Sequence, residues 1–399
     1  MTFNFKNTVL LFVCIFSFFY SFCQNQVLTG ADQYDEYIPF LENKSVGVVA
    51  HKASRLKINN DIHLVDFLVK KRITIKTIFA PEHGYDGRAD DGALLLDSKD
   101  ESTGLNIISL YGKTKKPLPE HLEGIDILVF DLQDVGARFY TFLSTLHYVM
   151  QACAEANIPI LLLDRPNPNG HYVDGPVLEM KFKTFVGMHP VPIVHGMTLA
   201  EYARMINGEG WLGENLKCEL KIVKIKNYTH QTKYILPVRP SPNLPNTQSI
   251  SLYPSLCLLE PTTMSIGRGT EKQFQIYGHP NFPESNFKFK PSANFGSKNP
   301  KWNGDMCFGV SLEKIEVSDR LDLTWLIDAY NKLPKNYIFF KDSFERIAGT
   351  GKLRKQIINK VPIHQIRKSW GEQMDAAMEY ADILKISAPL VVDTIKGLV

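Results

Sequence analysis

Apolar and polar residues follow two rhythms along the first half of the chain. Continuous apolar runs predict buried strands at 46–50, 73–80, 106–110, 125–131 and 158–164. Between them, at 61–71 and 139–156, apolar residues recur every three or four positions, which is the spacing of amphipathic helices. Continuous apolar strands that alternate with helices are typical of a parallel sheet covered on both faces. The fold class predicted for this half is therefore α/β.

The pattern changes after residue 236. Prolines are dense over 237–254, and this density excludes regular helix and central strand. We interpret the stretch as the junction between two domains, or as a rigid loop that lines a site between them. The remaining sequence predicts a strand at 306–317, helices at 321–333 and 365–384, and a surface excursion at 277–301. Upstream, Thr198 and Glu201 have the spacing of a capping box at the start of a helix.

Length, net charge and cysteine spacing limit the classes of protein to which the chain can belong. The chain has 399 residues, a length typical of two domains, and its formal net charge is +3. So small a charge gives no reason to expect a nucleic-acid partner. Four of the six cysteines are widely spaced, without a C-x-x-C pair, which does not indicate a zinc site.

The N-terminus predicts export. Lys6 precedes an apolar stretch over 9–22, which fits the core of a secretory signal peptide ending at Cys23. The stretch is shorter than the roughly 20 residues that a membrane span needs, so we expect no integral membrane segment after cleavage. The predicted location is secreted or periplasmic, with a lipid anchor on Cys23 as the alternative.

Polar side chains cluster where the predicted strands end. In open parallel sheets, ligands bind in the crevice outside the carboxyl ends of the strands. Any single carboxylate at such an end can simply cap a loop or helix, and Asp134 and Arg138 have the spacing of an ion pair within a helix. The convergence of several favours a ligand site. The residues in question are His51, Lys52, Glu82, His83, Asp131, Gln133, Asp134, Arg138, Asp164, Arg165 and Asn167.

Glu82 is the sharpest catalytic candidate among them. Pro81 and Gly84 bracket it in a tight turn, which would hold its carboxylate at the rim of the sheet. A glutamate in a closed cleft can act as a general acid. The neighbouring His83 is a candidate for orienting a substrate hydroxyl or transferring a proton, and the alternative is a hydrogen-bonded structural histidine.

Several standard chemistries have no support in the sequence. A G-x-G-x-x-G run does not follow the first strand, and Walker A, G-x-S-x-G and H-E-x-x-H motifs are absent. A mixed metal site of His83, Asp131 and Asp134 has no diagnostic spacing. We therefore expect no cofactor and no metal.

The second half adds candidates for another wall of the cleft. Asn243 lies in the stiff sequence SPNLP, and Arg268 lies between two glycines shortly after Glu260. A planar guanidinium suits recognition of a carboxylate or phosphate. The alternative for Arg268 is an exposed position in a glycine-rich turn.

Seven ordered motifs together resemble the exo-acting β-N-acetylmuramidase (NamZ-like) family, long known only as a domain of unknown function. They are FAPEHG (79–84), LYGKTKKP (110–117), FDLQDVGARFYTF (130–142), LDRPNPNG (163–170), VHGMT (194–198), PSPNLP (240–245) and IGRGT (266–270). The resemblance runs from about residue 46 to the C-terminus.

The resemblance implies a Rossmann-like domain at 40–236 and a smaller α/β domain at 237–399 that closes a cleft between them. It implies hydrolysis of a β-1,4 bond that releases N-acetylmuramic acid from the non-reducing ends of peptidoglycan fragments. Glu82 is then the leading catalytic residue, with His83 beside it and Glu260 in the second half. In the run Pro261, Thr262 and Thr263, where the family usually has Gly, Thr and Asn, Pro261 and Thr263 depart from the pattern.

Recognition of the substrate needs a cation for the lactyl carboxylate that distinguishes muramic acid from glucosamine. Arg138, Arg165 and Arg268 are the candidates, and we expect His195 to contribute to substrate binding as well. The second catalytic group is open between Glu260, Asp131, Asp164 and the acetamido group of the substrate. Two other classes of function stay open: a periplasmic module that binds muropeptides without cleaving them, and an esterase or amidase.

Overall fold

A computed structural model describes residues 26–57, 61–90 and 92–371. The predicted signal peptide, Cys23 and most of the predicted helix 365–384 lie outside these ranges. In chain order the strands are β1 (Ser45–Ala50), β2 (Arg55–Leu56), β3 (Ile62–His63), β4 (Thr74–Ala80), β5 (Ser98–Lys99), β6 (Asn106–Ser109), β7 (Ile127–Asp131), β8 (Ile160–Leu163), β9 (Leu220–Val223), β10 (Ile276–His279), β11 (Lys288–Phe289) and β12 (Cys307–Ser311). The α-helices are α1 (Tyr34–Leu41), α2 (Leu64–Lys70), α3 (Pro119–Leu122), α4 (Phe142–Glu155), α5 (Leu199–Gly208), α6 (Thr247–Leu256), α7 (Thr324–Lys332), α8 (Phe344–Ala348), α9 (Leu353–Ile358) and α10 (Ile363–Lys368).

The first half folds around a seven-stranded sheet in the order β5-β6-β4-β1-β7-β8-β9. Only β5 is antiparallel to its neighbour, so the predicted α/β class is confirmed. From β1 the chain builds outward through β4 and β6, and then it returns to β7 and builds the other way. The order therefore reverses between β1 and β7, which is where open α/β sheets form their ligand crevice.

Two apolar layers cover the faces of this sheet. Helices α1 and α2 pack on one face, where Val46 and Val48 of β1 point. On the other face, Val49 joins a larger core that contains α4 and α5 and continues into the second half as far as Trp370. The second half adds a small antiparallel sheet, β10-β12-β11, and short helices. One continuous core thus joins the two halves.

Three expectations for the second half were wrong in part. Residues 247–256 form helix α6, because the prolines at 237, 240, 242 and 245 all precede its cap at Asn246, and Pro254 is accommodated near its end. The predicted surface excursion 277–301 starts inside the core, since Tyr277 and His279 are buried in β10. The predicted strand 306–317 is shorter and ends at Ser311.

The predicted capping box is confirmed. Thr198 and Glu201 form the capping box of α5, with the Thr198 backbone N–H donating to Glu201 Oε2 at 2.8 Å. Cys153, Cys218, Cys257 and Cys307 are buried and not disulfide-bonded. Within the described ranges, no helix has the length and apolar character needed to cross a membrane.

Candidate active site

Glu82 lies directly after β4 in a tight turn, where the backbone N–H of Gly84 donates to Pro81 O at 3.0 Å. Its side chain is buried, with an exposed fraction of 6%. Both carboxylate oxygens accept hydrogen bonds: Oε2 from the hydroxyl of Thr141 at 2.6 Å, and Oε1 from the backbone N–H of Gly92 at 3.2 Å. The carboxylate is thus held in one orientation at the carboxyl edge of the sheet.

Thr141 holds this carboxylate from an unusual position. It occupies the N-cap of α4, where a threonine hydroxyl normally accepts a hydrogen bond from the first turn of the helix. Here the side chain makes no capping hydrogen bond, and its hydroxyl donates to Glu82 instead. The positive end of the α4 dipole also favours negative charge at this point. Sequence reasoning missed Thr141, although a threonine at the start of the predicted helix 139–156 was an available signal.

His83 connects the turn to the proline-rich loop. Its Nδ1 donates to Ala89 O at 2.9 Å, and its Nε2 forms a hydrogen bond of 3.2 Å with the hydroxyl of Ser241. The backbone of His83 has φ = 71°, a left-handed conformation that is costly for a residue with a side chain. Both ring nitrogens are engaged, which is the arrangement expected of a structural histidine. A role in proton transfer stays a prediction.

The loop 240–245 lies across the carboxyl edge of the sheet. The carbonyl oxygen of Pro240 accepts from His51 Nε2 at 3.2 Å and from the hydroxyl of Tyr140 at 2.7 Å. Burial lowers the pKa of His51 to about 3, so the ring stays neutral. Asn243 donates from Nδ2 to Gly296 O at 2.7 Å. These contacts agree with the interpretation of the stretch as a rigid loop beside a site.

Two of the predicted carboxylates are already engaged within the fold. Asp131, at the end of β7, forms a buried two-point ion pair with Arg165, with distances of 2.5 Å to Nε and 2.8 Å to Nη2. Asp164 accepts from the backbone N–H of Ala200 at 3.1 Å, in the first turn of α5. Burial raises the pKa of Asp164 to about 7. Both carboxylates therefore have structural tasks.

Arg138 is fully enclosed, and the expected ion pair with Asp134 is wrong. Its guanidinium donates to four backbone carbonyls at 2.7–3.1 Å, those of Pro176, Val191, Ile347 and Ala348. Burial lowers its pKa to about 9. Because carbonyl groups surround the cation, this geometry gives no support to a role for Arg138 in binding the lactyl carboxylate.

Four further candidates are buried and contact mainly the fold. Gln133 donates to the carbonyl oxygens of Asp134 and Pro166, and Asn167 donates to Met197 O at 2.8 Å. Asp134 accepts from the backbone N–H of Gly136 at 2.7 Å, and His195 Nε2 lies 3.6 Å from the same carboxylate oxygen. Substrate contacts of Gln133, Asn167 and His195 stay predictions.

Glu260 and Arg268 form a half-buried pair in the second half. Arg268 Nε donates to Glu260 Oε1 at 2.7 Å, and its guanidinium lies over the ring of Phe274. Burial opposes ionisation of Glu260, but the charges of Arg268 and Lys301 outweigh it and lower the pKa of this carboxyl. Glu260 therefore stays ionised, and about 23% of its side chain is exposed.

One segment, 292–301, connects this pair to the surroundings of Glu82. At one end, the backbone N–H of Lys298 donates to Asp90 at 2.8 Å, two residues from the N–H that holds Glu82. At the other end, Ser292 donates to Gly269 O at 2.8 Å, and Lys301 donates to Glu260 O at 2.7 Å. The two walls predicted from the sequence thus border the same segment of chain.

Two protein-family models match the chain in succession. The model described as exo-beta-N-acetylmuramidase NamZ, N-terminal, matches residues 46–248, and its C-terminal counterpart matches residues 251–380. The peptidoglycan beta-N-acetylmuramidase NamZ of Bacillus subtilis is 36% identical over 373 residues, which are 86% of this chain and 87% of that protein.

Solved structures agree with these matches. A crystal structure of a DUF1343 family protein from Bacteroides fragilis has 42% sequence identity and a TM-score of 0.83, covering 90% of this chain and 98% of that one. A second DUF1343 family protein from the same organism has 27% identity and a TM-score of 0.75, covering 89% of this chain and 97% of that one.

Proposed function

The chain belongs to the NamZ family of exo-β-N-acetylmuramidases, which are glycoside hydrolases, and on that premise we propose that Glu82 is the general acid of the reaction. The substrate is derived from peptidoglycan. The scissile bond joins N-acetylmuramic acid, at the non-reducing end of a fragment, to the next sugar. The observation that carries the assignment is the carboxylate of Glu82, fixed by two donors at the carboxyl edge of the sheet, one of which begins the helix that follows β7.

Glu82 protonates the leaving oxygen as the oxocarbenium-like transition state forms. As the proton leaves, negative charge develops on the carboxylate, where Thr141 and the start of α4 stabilise it. These interactions are stronger with the ionised carboxylate than with the acid. They therefore favour the transition state over the ground state.

The contacts of the other carboxylates narrow the choice of candidates for the second catalytic group. Asp131 is paired with Arg165, and Asp164 caps a helix, so neither suits attack on a sugar or a water molecule. Glu260 is also paired with an arginine, Arg268, but this pair is partly exposed whereas the Asp131–Arg165 pair is buried. Because Glu260 is ionised and partly exposed, it suits a nucleophile or general base. The substrate acetamido group is the other route. Loss of activity in Glu260→Gln supports the first route, and retained activity supports the second.

Recognition of the lactyl carboxylate falls to Arg268 among the three arginines considered. Arg165 is paired with Asp131, and Arg138 is enclosed by backbone carbonyls. Arg268 is oriented by Glu260 and Phe274, and its pair with Glu260 is partly exposed. The segment 292–301 connects the surroundings of Arg268 to those of Glu82. A site that pairs a charged substrate group discriminates strongly against an analogue without it.

The test compares two leaving groups in the variant Glu82→Gln. A disaccharide of muramic acid and glucosamine has a poor leaving group and needs the acid, whereas a nitrophenyl β-muramide leaves without much protonation. We expect kcat/KM to fall by about 10²–10⁴-fold on the disaccharide and far less on the nitrophenyl substrate. Equal losses on both would contradict the acid assignment. Absence of free sugar from the wild-type protein would instead favour a binding module.

We also propose that the mature protein is exported, because of the apolar stretch 9–22 after Lys6. The test is the mass of the protein recovered from a bacterial envelope fraction, with Cys23→Ser as the comparison for lipidation. A mass corresponding to the intact N-terminus in the cytosol would refute export.

A further inference from the structure

Three aromatic rings form a group beside the catalytic turn, which we call the aromatic platform: Tyr111, Tyr148 and Phe185. Phe185 lies at the centre, with ring centroids 5.7 Å from Tyr111 and 6.1 Å from Tyr148, and the Tyr148 ring is stacked at 12°. All three side chains are only partly buried. The ammonium group of the exposed Lys115 lies 4.4 Å from the centre of the Phe185 ring. The platform is therefore apolar with a cation above it.

A path of contacts connects the platform to Glu82 on one side. Thr141, which donates to Glu82, begins the helix α4 that carries Ser144 and Tyr148 further along. The hydroxyl of Ser144 donates to the backbone carbonyl of Phe185 at 2.6 Å. Since Tyr148 follows Thr141 by seven residues, the two lie about 10 Å apart along the helix axis.

A second path closes the ring of contacts from the other side. The backbone N–H of Leu95 donates to Tyr111 O at 3.3 Å, and the Leu95 side chain lies against Gly84, which belongs to the catalytic turn. The neighbouring Leu94 and Leu96 are 76% and 80% exposed. Large exposed apolar groups in one place commonly mark a binding surface. The platform is thus connected to the catalytic turn by two paths, one through α4 and one through Leu95 and Gly84.

We propose that the aromatic platform is a saccharide subsite on the leaving-group side of the scissile bond, and that Lys115 pairs there with the carboxylate of a second muramic unit. This inference rests on the proposed function of Glu82. A sugar ring presents an apolar C–H face that packs on a rigid aromatic ring. The muramic units of a glycan repeat at alternate sugars, each with a carboxylate. An aromatic surface with the ammonium group of Lys115 above it complements that pattern in shape and charge.

The subsite predicts that rate constants depend on the length of the substrate. The probes are a nitrophenyl β-muramide, the muramic acid–glucosamine disaccharide, and the tetrasaccharide with a second muramic unit. In Phe185→Ala we expect kcat/KM to fall about tenfold more on the tetrasaccharide than on the nitrophenyl substrate. In Lys115→Gln the loss is confined to the tetrasaccharide, and it shrinks at high salt because the pair is exposed.

The matched control is Lys113→Gln, which removes the same charge from an exposed lysine on the same loop. It should reduce the rate on the tetrasaccharide much less than Lys115→Gln does. Phe185→Leu keeps an apolar side chain and serves where the alanine variant does not fold, as judged by thermal melting. Equal losses on all three substrates, or equal effects of the two lysine variants, would overturn the subsite. Lack of hydrolysis by the wild-type protein would overturn the proposed function itself.

Discussion

Replacing Thr141 with valine tests whether this hydroxyl positions the acid. Valine has nearly the same shape as threonine but cannot donate to Glu82 Oε2, which now accepts from Thr141 at 2.6 Å. The helix α4 should tolerate the change, because the Thr141 side chain does not cap it. The perturbation therefore removes one hydrogen bond from the carboxylate and little else.

The size of the effect follows from the charge that develops on Glu82. A hydrogen bond to a charged group contributes about 1.5–3 kcal/mol, compared with about 0.5–1.5 kcal/mol between neutral groups. Their difference of about 1–2 kcal/mol is lost from the transition state, which corresponds to a fall in kcat of roughly 5–30-fold. KM should change little, since the hydroxyl contacts the enzyme carboxylate and not the sugar.

The assay measures kcat and KM on the disaccharide for Thr141→Val and Thr141→Ser, with thermal melting to verify folding. Serine restores the hydroxyl, so it should recover most of the rate, whereas a purely structural role would make both variants equal. If Thr141→Val keeps the wild-type kcat, or if Thr141→Ser is as slow as Thr141→Val, the positioning role is refuted.

Three further variants test other contacts. Burial raises the pKa of Asp164 to about 7, so the stability that its protonated form contributes is present below about pH 4 and lost as pH rises to 7. In Asp164→Asn this decline in the free energy of unfolding, on the order of 4 kcal/mol, should disappear when urea denaturation is measured across that pH range. Arg138→Met leaves four buried carbonyls without their donor and should destabilise the protein by about 2–4 kcal/mol in the same measurement, with KM unchanged if the cation has no substrate role. Arg268→Gln should lower kcat/KM much more on a nitrophenyl β-muramide than on the glucosaminide, and equal losses would exclude lactyl recognition.

The central strands were predictable because both faces of the sheet are covered. In β1, β7 and β8 nearly every position is apolar, and β4 ends in an apolar run at Ile78, Phe79 and Ala80, a pattern that few other structures produce. The edge strand β9 escaped prediction since only Val223 is buried in it, and its LKIV sequence has no long apolar run. Helix α6 was not predicted because the high proline content was taken to exclude a helix from the whole stretch 237–254. The helix begins only after Pro245, the last proline of the loop.

The site was predictable in place but not in role. The sequence puts several carboxylates at one edge of the sheet, and in the structure Glu82 follows β4 and Asp131 ends β7, the two strands that flank β1. Strand order decides which carboxylate is neutralised: β8 lies beside β7, so Arg165 reaches Asp131. Such pairing depends on contacts between segments that are distant in sequence, so a local motif does not predict it. For Thr141 the sequence offered a local signal, a threonine at the start of a predicted helix, but only the fold shows that its hydroxyl donates to Glu82.

The four acceptors of the Arg138 guanidinium come from both halves of the chain, two from 176–191 and two from the end of α8. In a fragment that stops near residue 248, the Arg138 guanidinium would lose two of its four carbonyl acceptors. The shared apolar core would also be exposed to water. The boundary between the two matched segments is therefore not a line along which the molecule can be divided. We therefore expect the two segments to fold together as one cooperative unit, because they share this apolar core and the contacts of Arg138.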